Sequence, residues 1–103
     1  MTLNVMLIDD HPVVRAGLRA VLNSFDGVEV VAEAADGNAE VPDGVDVVVS
    51  DIQMPGADGI ALTRRLVAAG GPPVLILTTY DTQADVVAAV EAGAMGYLLK
   101  DAP

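Results

Sequence analysis

The sequence predicts a single α/β domain built on a parallel sheet, and three observations carry that expectation. Short, nearly continuous runs of Val, Ile and Leu recur along the chain, as expected of strands buried on both faces. Segments with apolar residues at helical spacing lie between them, and Gly, Pro and Asp-Gly steps mark the joints. Strands that alternate with helices imply parallel pairing through right-handed crossovers. The chain has 103 residues, enough for one core, and is 52 % hydrophobic but only 3 % aromatic. Val, Ala, Leu and Ile must therefore build that core.

Asn4–Ile8 is a first apolar run and ends at Asp9-Asp10. His11-Pro12 follows, with Pro12 suited to a first helical turn and Asp10 a candidate N-cap. Val14, Leu18, Val21, Leu22 and Phe25 then recur at helical spacing, with Arg15 and Arg19 on one flank. Asp26-Gly27 is a turn, and Val28–Ala32 a second strand. Between Gly37 and Asp46 only Asn38–Val45 remain, interrupted by Pro42 and Gly44, so at most one helical turn fits. Val45–Val49 is the third strand, and it stops at Asp51 before a loop holding Pro55, Gly56 and Gly59. Ile60–Ala69 places Leu62 and Leu66 on one side and Arg64-Arg65 outward, on a solvated face. Gly70-Gly71-Pro72-Pro73 ends it. Val74–Leu77 is the fourth strand, running into Thr78-Thr79. Thr82-Gln83-Ala84-Asp85 fits a capping box, Gly93 a helix C′ position, and Gly96-Tyr97-Leu98-Leu99 a fifth strand with Lys100 at its end.

Charge narrows the function. Fifteen acidic against five basic side chains give a net charge of −10, which argues against nucleic-acid or anionic-membrane binding by this segment. It suits a cation site or a basic partner. No cysteine is present, which removes disulfides and thiolate–metal chemistry. Neither a charged-then-apolar leader nor an 18-residue apolar run occurs, so a cytoplasmic protein with no membrane partner is expected.

In a parallel sheet the strand ends converge on one edge, where open α/β sheets bind ligands. The residues there are Asp9, Asp10, Asp51, Thr78, Thr79 and Lys100. Three carboxylates brought together repel one another and favour a cation between them. Oxygen-rich sites with one or two carboxylates suit Mg²⁺, which often also contacts a phosphate. A hydroxyl and a lysine beside them can take phosphoryl oxygens. The set is that of phosphoryl transfer with a carboxylate nucleophile.

The opening Asp-Asp-His-Pro-Val-Val-Arg-Ala-Gly-Leu resembles the NarL/LuxR-type branch of response regulator receiver domains of two-component systems. So do Val-Ala-Glu-Ala-Ala-Asp-Gly, Asp-Ile-Gln-Met-Pro-Gly-Ala-Asp-Gly and Gly-Ala-Met-Gly-Tyr-Leu-Leu-Lys-Asp. The resemblance spans almost the whole chain. It implies a flavodoxin-like, doubly wound five-stranded parallel sheet in order 2-1-3-4-5. It implies phosphorylation of Asp51 by a sensor histidine kinase. Mg²⁺ would be bound by Asp10, Asp51 and the Gln53 carbonyl, with Asp9 acting through water. Thr78 would be the switch hydroxyl, Lys100 the phosphoryl-binding cation, and Tyr97 the switch aromatic. A DNA-binding domain carried elsewhere would give a transcriptional output.

Two departures from the pattern are expected to matter. The second helix should be a stub or a loop, and no fifth helix follows the fifth strand in residues 1–103. The chain then reads as a single receiver domain, carboxy-terminally incomplete, with an apolar strip uncovered beside the first helix and a tendency to dimerise or self-associate. Lys100-Asp101 stands where many receivers have Lys-Pro with a cis bond, and a trans bond is expected. Each site residue has an ordinary role when taken singly: a helix cap for Asp9 or Asp10, a strand-end hydroxyl for Thr78, a solvated Lys100, a half-buried Tyr97. His11 reads as a loop residue, since no second histidine or cysteine supports it. Their grouping at one edge is what points to chemistry. A haloacid-dehalogenase-type phosphatase would need an Asp where Gln53 stands. A pseudo-receiver, docking without phosphorylation, remains the alternative.

Overall fold

Val-rich runs pair side by side in the computed structural model, which describes residues 2–52, 54, 56, 58–78 and 83–99, though not the side chains of 78, 83–86 and 97–99. The elements are β1 (Leu3–Ile8), α1 (Pro12–Asn23), β2 (Val28–Ala34), β3 (Val47–Ser50), α2 (Gly59–Ala68), β4 (Val74–Thr78), α3 (Gln83–Ala92) and β5 (Gly96–Leu99). All strand pairs are parallel, in the order β2-β1-β3-β4-β5. That is the expected doubly wound sheet.

Alternation along the strands splits the core into two layers. Met6, Ile8, Val48, Val74 and Ile76 face α2 and α3, where Leu62, Leu66 and Ala89 complete a well-buried cluster. Val5, Leu7 and Val49 face the other way, toward Leu18 and Leu22 of α1. This second layer is thinner. Helix α1 buries none of its residues fully, and Leu75 and Leu77 are only partly covered. Val21 of α1 and Phe25 in the bend just after it are 54 % and 58 % exposed, so the apolar side of this segment extends past the surface it covers.

The segment 35–46 contains no helix, only bends and turns. It still lays Ala39, Val41 and Val45 against the α2 side of the sheet. Arg65 holds it, donating from Nη2 to the carbonyls of Gly37 at 2.9 Å and Ala39 at 2.7 Å. Arg65 is exposed, as expected of a solvated helix face, but its guanidinium also satisfies backbone carbonyls that a helix would have satisfied internally. Asp46 ties the far end, accepting from the Asn4 amide at 2.7 Å.

Strand limits differ modestly from expectation. β2 continues to Ala34, and β3 runs from Val47 to Ser50 rather than Val45–Val49. The Asp46 bond to Asn4 takes up the residue before β3. In the β1–β2 pairing a register shift between Val5 and Met6 leaves Val31 without a partner across the ladder, and Val31 is 45 % exposed. Gly93 takes a positive φ of +99° directly after α3, as a C′ glycine should. The Thr82 capping box lies outside the described residues.

Candidate functional site

Register brings the carboxylates together. Ile8 pairs with both Ala34 and Ser50, so β1 and β3 end level with one another. Beyond those ends, the Asp9 amide donates to the Ala34 carbonyl at 3.1 Å and the Asp51 amide to the Ile8 carbonyl at 3.0 Å. Asp9 and Asp51 thus leave the sheet as neighbours, 1 % and 7 % exposed. Asp10 joins them with a side chain 22 % exposed. One ligand atom from each of Asp9, Asp10, His11 and Asp51 lies within 4.8 Å of every other. At that spacing each pair of ionised carboxylates repels by roughly 3–4 kcal/mol, taking an effective dielectric of about 20. Asp10 Oδ1 is buried with no hydrogen-bond partner among the described residues. His11 Nδ1 lies 3.0 Å from it. Carboxylate oxygens gathered from three acids at one sheet edge are the kind of donors a hard divalent cation takes.

Helix starts hold these groups in place. His11 is the N-cap of α1, with Pro12 in the first turn and no side-chain cap bond. Asp10 therefore does not cap α1. Instead Asp9 Oδ1 accepts from the His11 amide at 2.9 Å, a tight turn that aims Asp9 inward. Arg15 Nη1 donates to the Asp9 carbonyl at 2.7 Å, and its Nε pairs with Glu33 at 3.1 Å. Arg19 takes the other Glu33 oxygen at 2.7 Å. The loop carrying the acids is thereby fastened to both α1 and β2.

Asp51 is fixed as closely. Its Oδ1 accepts from the Ile52 amide at 2.7 Å, and its carbonyl accepts from the buried Ser50 hydroxyl at 2.8 Å. The start of α2 packs on this backbone. The Gly59 amide donates to the Ile52 carbonyl at 2.9 Å, and a Cβ at Gly59 would overlap the Asp51 carbonyl oxygen. Asp58 caps α2 through the Ala61 amide at 2.8 Å. Buried Thr63 returns its hydroxyl to the Gly59 carbonyl at 2.7 Å. These roles of Ser50, Asp58, Gly59 and Thr63 escape a reading of motifs. Asp58 alone carried a signal, a capping residue placed before an apolar helix.

The sheet brings the Thr78 backbone to the same edge, opposite Leu99. Its side chain, that of Tyr97, and residues Gln53 and Lys100 lie outside the description, as does the Lys100-Asp101 bond. His11, read from sequence as a loop residue, is the addition: its Nδ1 stands 3.0 Å from Asp10 Oδ1 and 3.4 Å from Asp9 Oδ1.

Comparison with known proteins gives the family. The family model described as the response regulator receiver domain matches residues 5–103. The chain is a response regulator receiver domain. It is 44 % identical over 105 residues to the nitrate/nitrite response regulator protein NarP of Escherichia coli, covering 94 % of this chain and 47 % of that protein. The transcriptional regulatory protein LiaR of Bacillus subtilis is 40 % identical over 103 residues, covering 95 % of this receiver and 49 % of LiaR. The crystal structure of response regulator ChrA, from a heme-sensing two-component system, superposes with a TM-score of 0.89 at 74 % identity. That match covers 99 % of this chain and 51 % of ChrA. The receiver thus spans about half the length of the curated relatives it matches, and it is of the NarL/LuxR type. No helix among the described residues is long and apolar enough to cross a membrane.

Proposed function

We propose that the receiver accepts a phosphoryl group on Asp51 from the phosphohistidine of a sensor histidine kinase. The observation that carries this is the convergence of Asp9, Asp10 and Asp51 at the level ends of β1 and β3, with Asp9 and Asp51 buried. In the transfer a carboxylate oxygen of Asp51 forms the new O–P bond. The N–P bond breaks, and its electron pair stays on the donor imidazole. The Ile52 amide holds Asp51 Oδ1 and so fixes the plane of the nucleophile, which favours an in-line approach.

Asp10 and Asp51, with Asp9 behind them and the Gln53 carbonyl, would hold Mg²⁺. When bound, the ion neutralises charge on the phosphoryl oxygens. Lys100 and the Thr78 hydroxyl would take the remaining oxygens, with Tyr97 as the switch aromatic. The domain works in the cytoplasm within a longer transcription regulator. Phosphorylation there controls dimerisation and DNA binding by another domain, and the apolar surface beside α1 supports self-association. ChrA serves a heme-sensing system, so at 74 % identity a kinase of that kind is the first donor to try.

Incubation with Mg²⁺ and acetyl phosphate, followed by intact mass measurement, tests this reading. One added phosphoryl group, abolished by Asp51→Asn and by EDTA, is expected. An unmodified wild-type chain under the same conditions would favour the docking-only pseudo-receiver.

A further inference from the structure

Resting on the Asp9–Asp10–Asp51 edge as the phosphorylation site, we propose that Glu33 of β2 is a positioning residue for it, acting through Arg15 on the Asp9 turn. A register shift in the sheet aims Glu33 there. Val5 pairs with Val30, but Met6 pairs with Ala32, so Val31 is passed over. An unbroken ladder would set Glu33 opposite Ile8, which faces α2 and α3. The shift sets it opposite Leu7 instead, on the side of α1. Bulges beside functional sites re-aim side chains in this way, and one in a parallel pair is rare.

On that side two arginines share the Glu33 carboxylate. Its Oε1 accepts from Arg15 Nε at 3.1 Å and its Oε2 from Arg19 Nη1 at 2.7 Å. Arg15 directs its fork two ways, since Nη1 also donates to the Asp9 carbonyl at 2.7 Å. The Asp9 amide meanwhile donates to the carbonyl of Ala34, the residue after Glu33. These contacts close a ring that runs from Glu33 through Arg15 and Asp9 to Ala34 and back along β2. Both the amide and the carbonyl of Asp9 are thus referred to one point on β2. The Arg15 and Glu33 side chains are 23 % and 25 % exposed, which limits screening of the pair. A guanidinium fork suits two acceptors in different directions, which the single ammonium of lysine does not reproduce.

The test compares wild type with Glu33→Gln, Arg15→Lys, the double variant and Glu29→Gln. Glu29 is also on β2 but alternates with Val28 and Val30, so it lies on the side away from α1 and its variant removes the same charge. In calorimetry with MgCl₂, Glu33→Gln and Arg15→Lys should each weaken binding about threefold to tenfold, at or below the lower end of what losing an outer-shell partner causes. The double variant should be no weaker than the worse single one, because both act along one path. Glu29→Gln should stay within about twofold of wild type, as a screened surface charge. Amide exchange at His11, whose N–H is held by Asp9 Oδ1, should accelerate in metal-free Glu33→Gln and Arg15→Lys and not in Glu29→Gln. Equal losses in Glu29→Gln, additive losses in the double variant, or unchanged His11 exchange would overturn the assignment. If wild type itself binds no Mg²⁺, the reading of the acid edge as a cation-dependent site falls, and His11 exchange alone decides whether Glu33 positions Asp9.

Discussion

A methyl group at Gly59 measures how closely the start of α2 is built against the end of β3. The Cβ of Gly59→Ala would overlap the Asp51 carbonyl oxygen and come within 3.1 Å of Asp51 C and Ile52 Cα. These are backbone atoms, so no side-chain rotation relieves the contact. Gly59 is not among the positive-φ glycines, and alanine is otherwise the better helix former by up to about 1 kcal/mol. Overpacking of this kind costs typically 1–3 kcal/mol, occasionally more. Lengthening the Gly59 amide bond to the Ile52 carbonyl costs about another 1 kcal/mol. The clash wins, and a net destabilisation of about 1–3 kcal/mol is expected. Relief requires α2 to move away from Asp51, so phosphorylation from acetyl phosphate should slow as well. Urea denaturation followed by circular dichroism reads the first effect and timed intact-mass measurement the second. An alanine variant as stable as wild type and phosphorylated at the same rate would refute the close-approach reasoning.

Four further outcomes are expected. Arg65→Ala removes two charge-assisted bonds to the Gly37 and Ala39 carbonyls, so amide exchange across 36–46 should accelerate while Asp51 still accepts phosphate. The cost is about 1–3 kcal/mol, and unchanged exchange there would show that the apolar contacts alone hold the segment. Arg15→Met loses the bond to the Asp9 carbonyl, worth about 1 kcal/mol, and an ion pair with Glu33 worth at most about as much at this exposure. Its sharper readout is a weaker Mg²⁺ affinity by calorimetry, since Asp9 loses its tether to α1. Leu62→Ala, at a fully buried position between α2 and the sheet, should cost about 2–5 kcal/mol in urea denaturation. Val21→Ser with Phe25→Ser should reduce self-association in sedimentation velocity, and a wild type that stays monomeric at high concentration counts against that surface.

The sheet was legible because the central strands β1, β3 and β4 are written as short Val, Leu and Ile runs, and the run ends are visible in the letters. Asp51 could be singled out for the same reason: a carboxylate that stops a valine strand is conspicuous. What the sequence hides is reach. Arg65 looks like an outward helix residue until the shortened segment before β3 is placed beside it, 26 residues earlier at Ala39. Gly59 looks like one more loop glycine until α2 is seated on the Asp51 carbonyl. His11 looks isolated because a search for metal ligands weighs histidine and cysteine partners, while its neighbours are the two carboxylates just before it. Helix α1 is the instructive middle case. Its periodicity was correct, but periodicity states which face is apolar and not how much of that face has something to cover it.

The two layers of the core divide the labour unevenly. Asp51 rests on the thick side, where α2 is capped by Asp58, tied by Thr63 and packed through Leu62 and Leu66. Asp9 and Asp10 hang from the thin side, on a loop held to α1 by the Arg15 bond. Helix α1 buries no residue fully, so it contributes little burial energy of its own, and the Arg15–Glu33–Arg19 bridge to β2 carries proportionately more of its attachment. Any surface that covers the exposed part of α1 would therefore stiffen the acid loop as well. The Asp9–Asp10 half of the site is in this way coupled to what packs beside α1, whereas Asp51 is insulated from it.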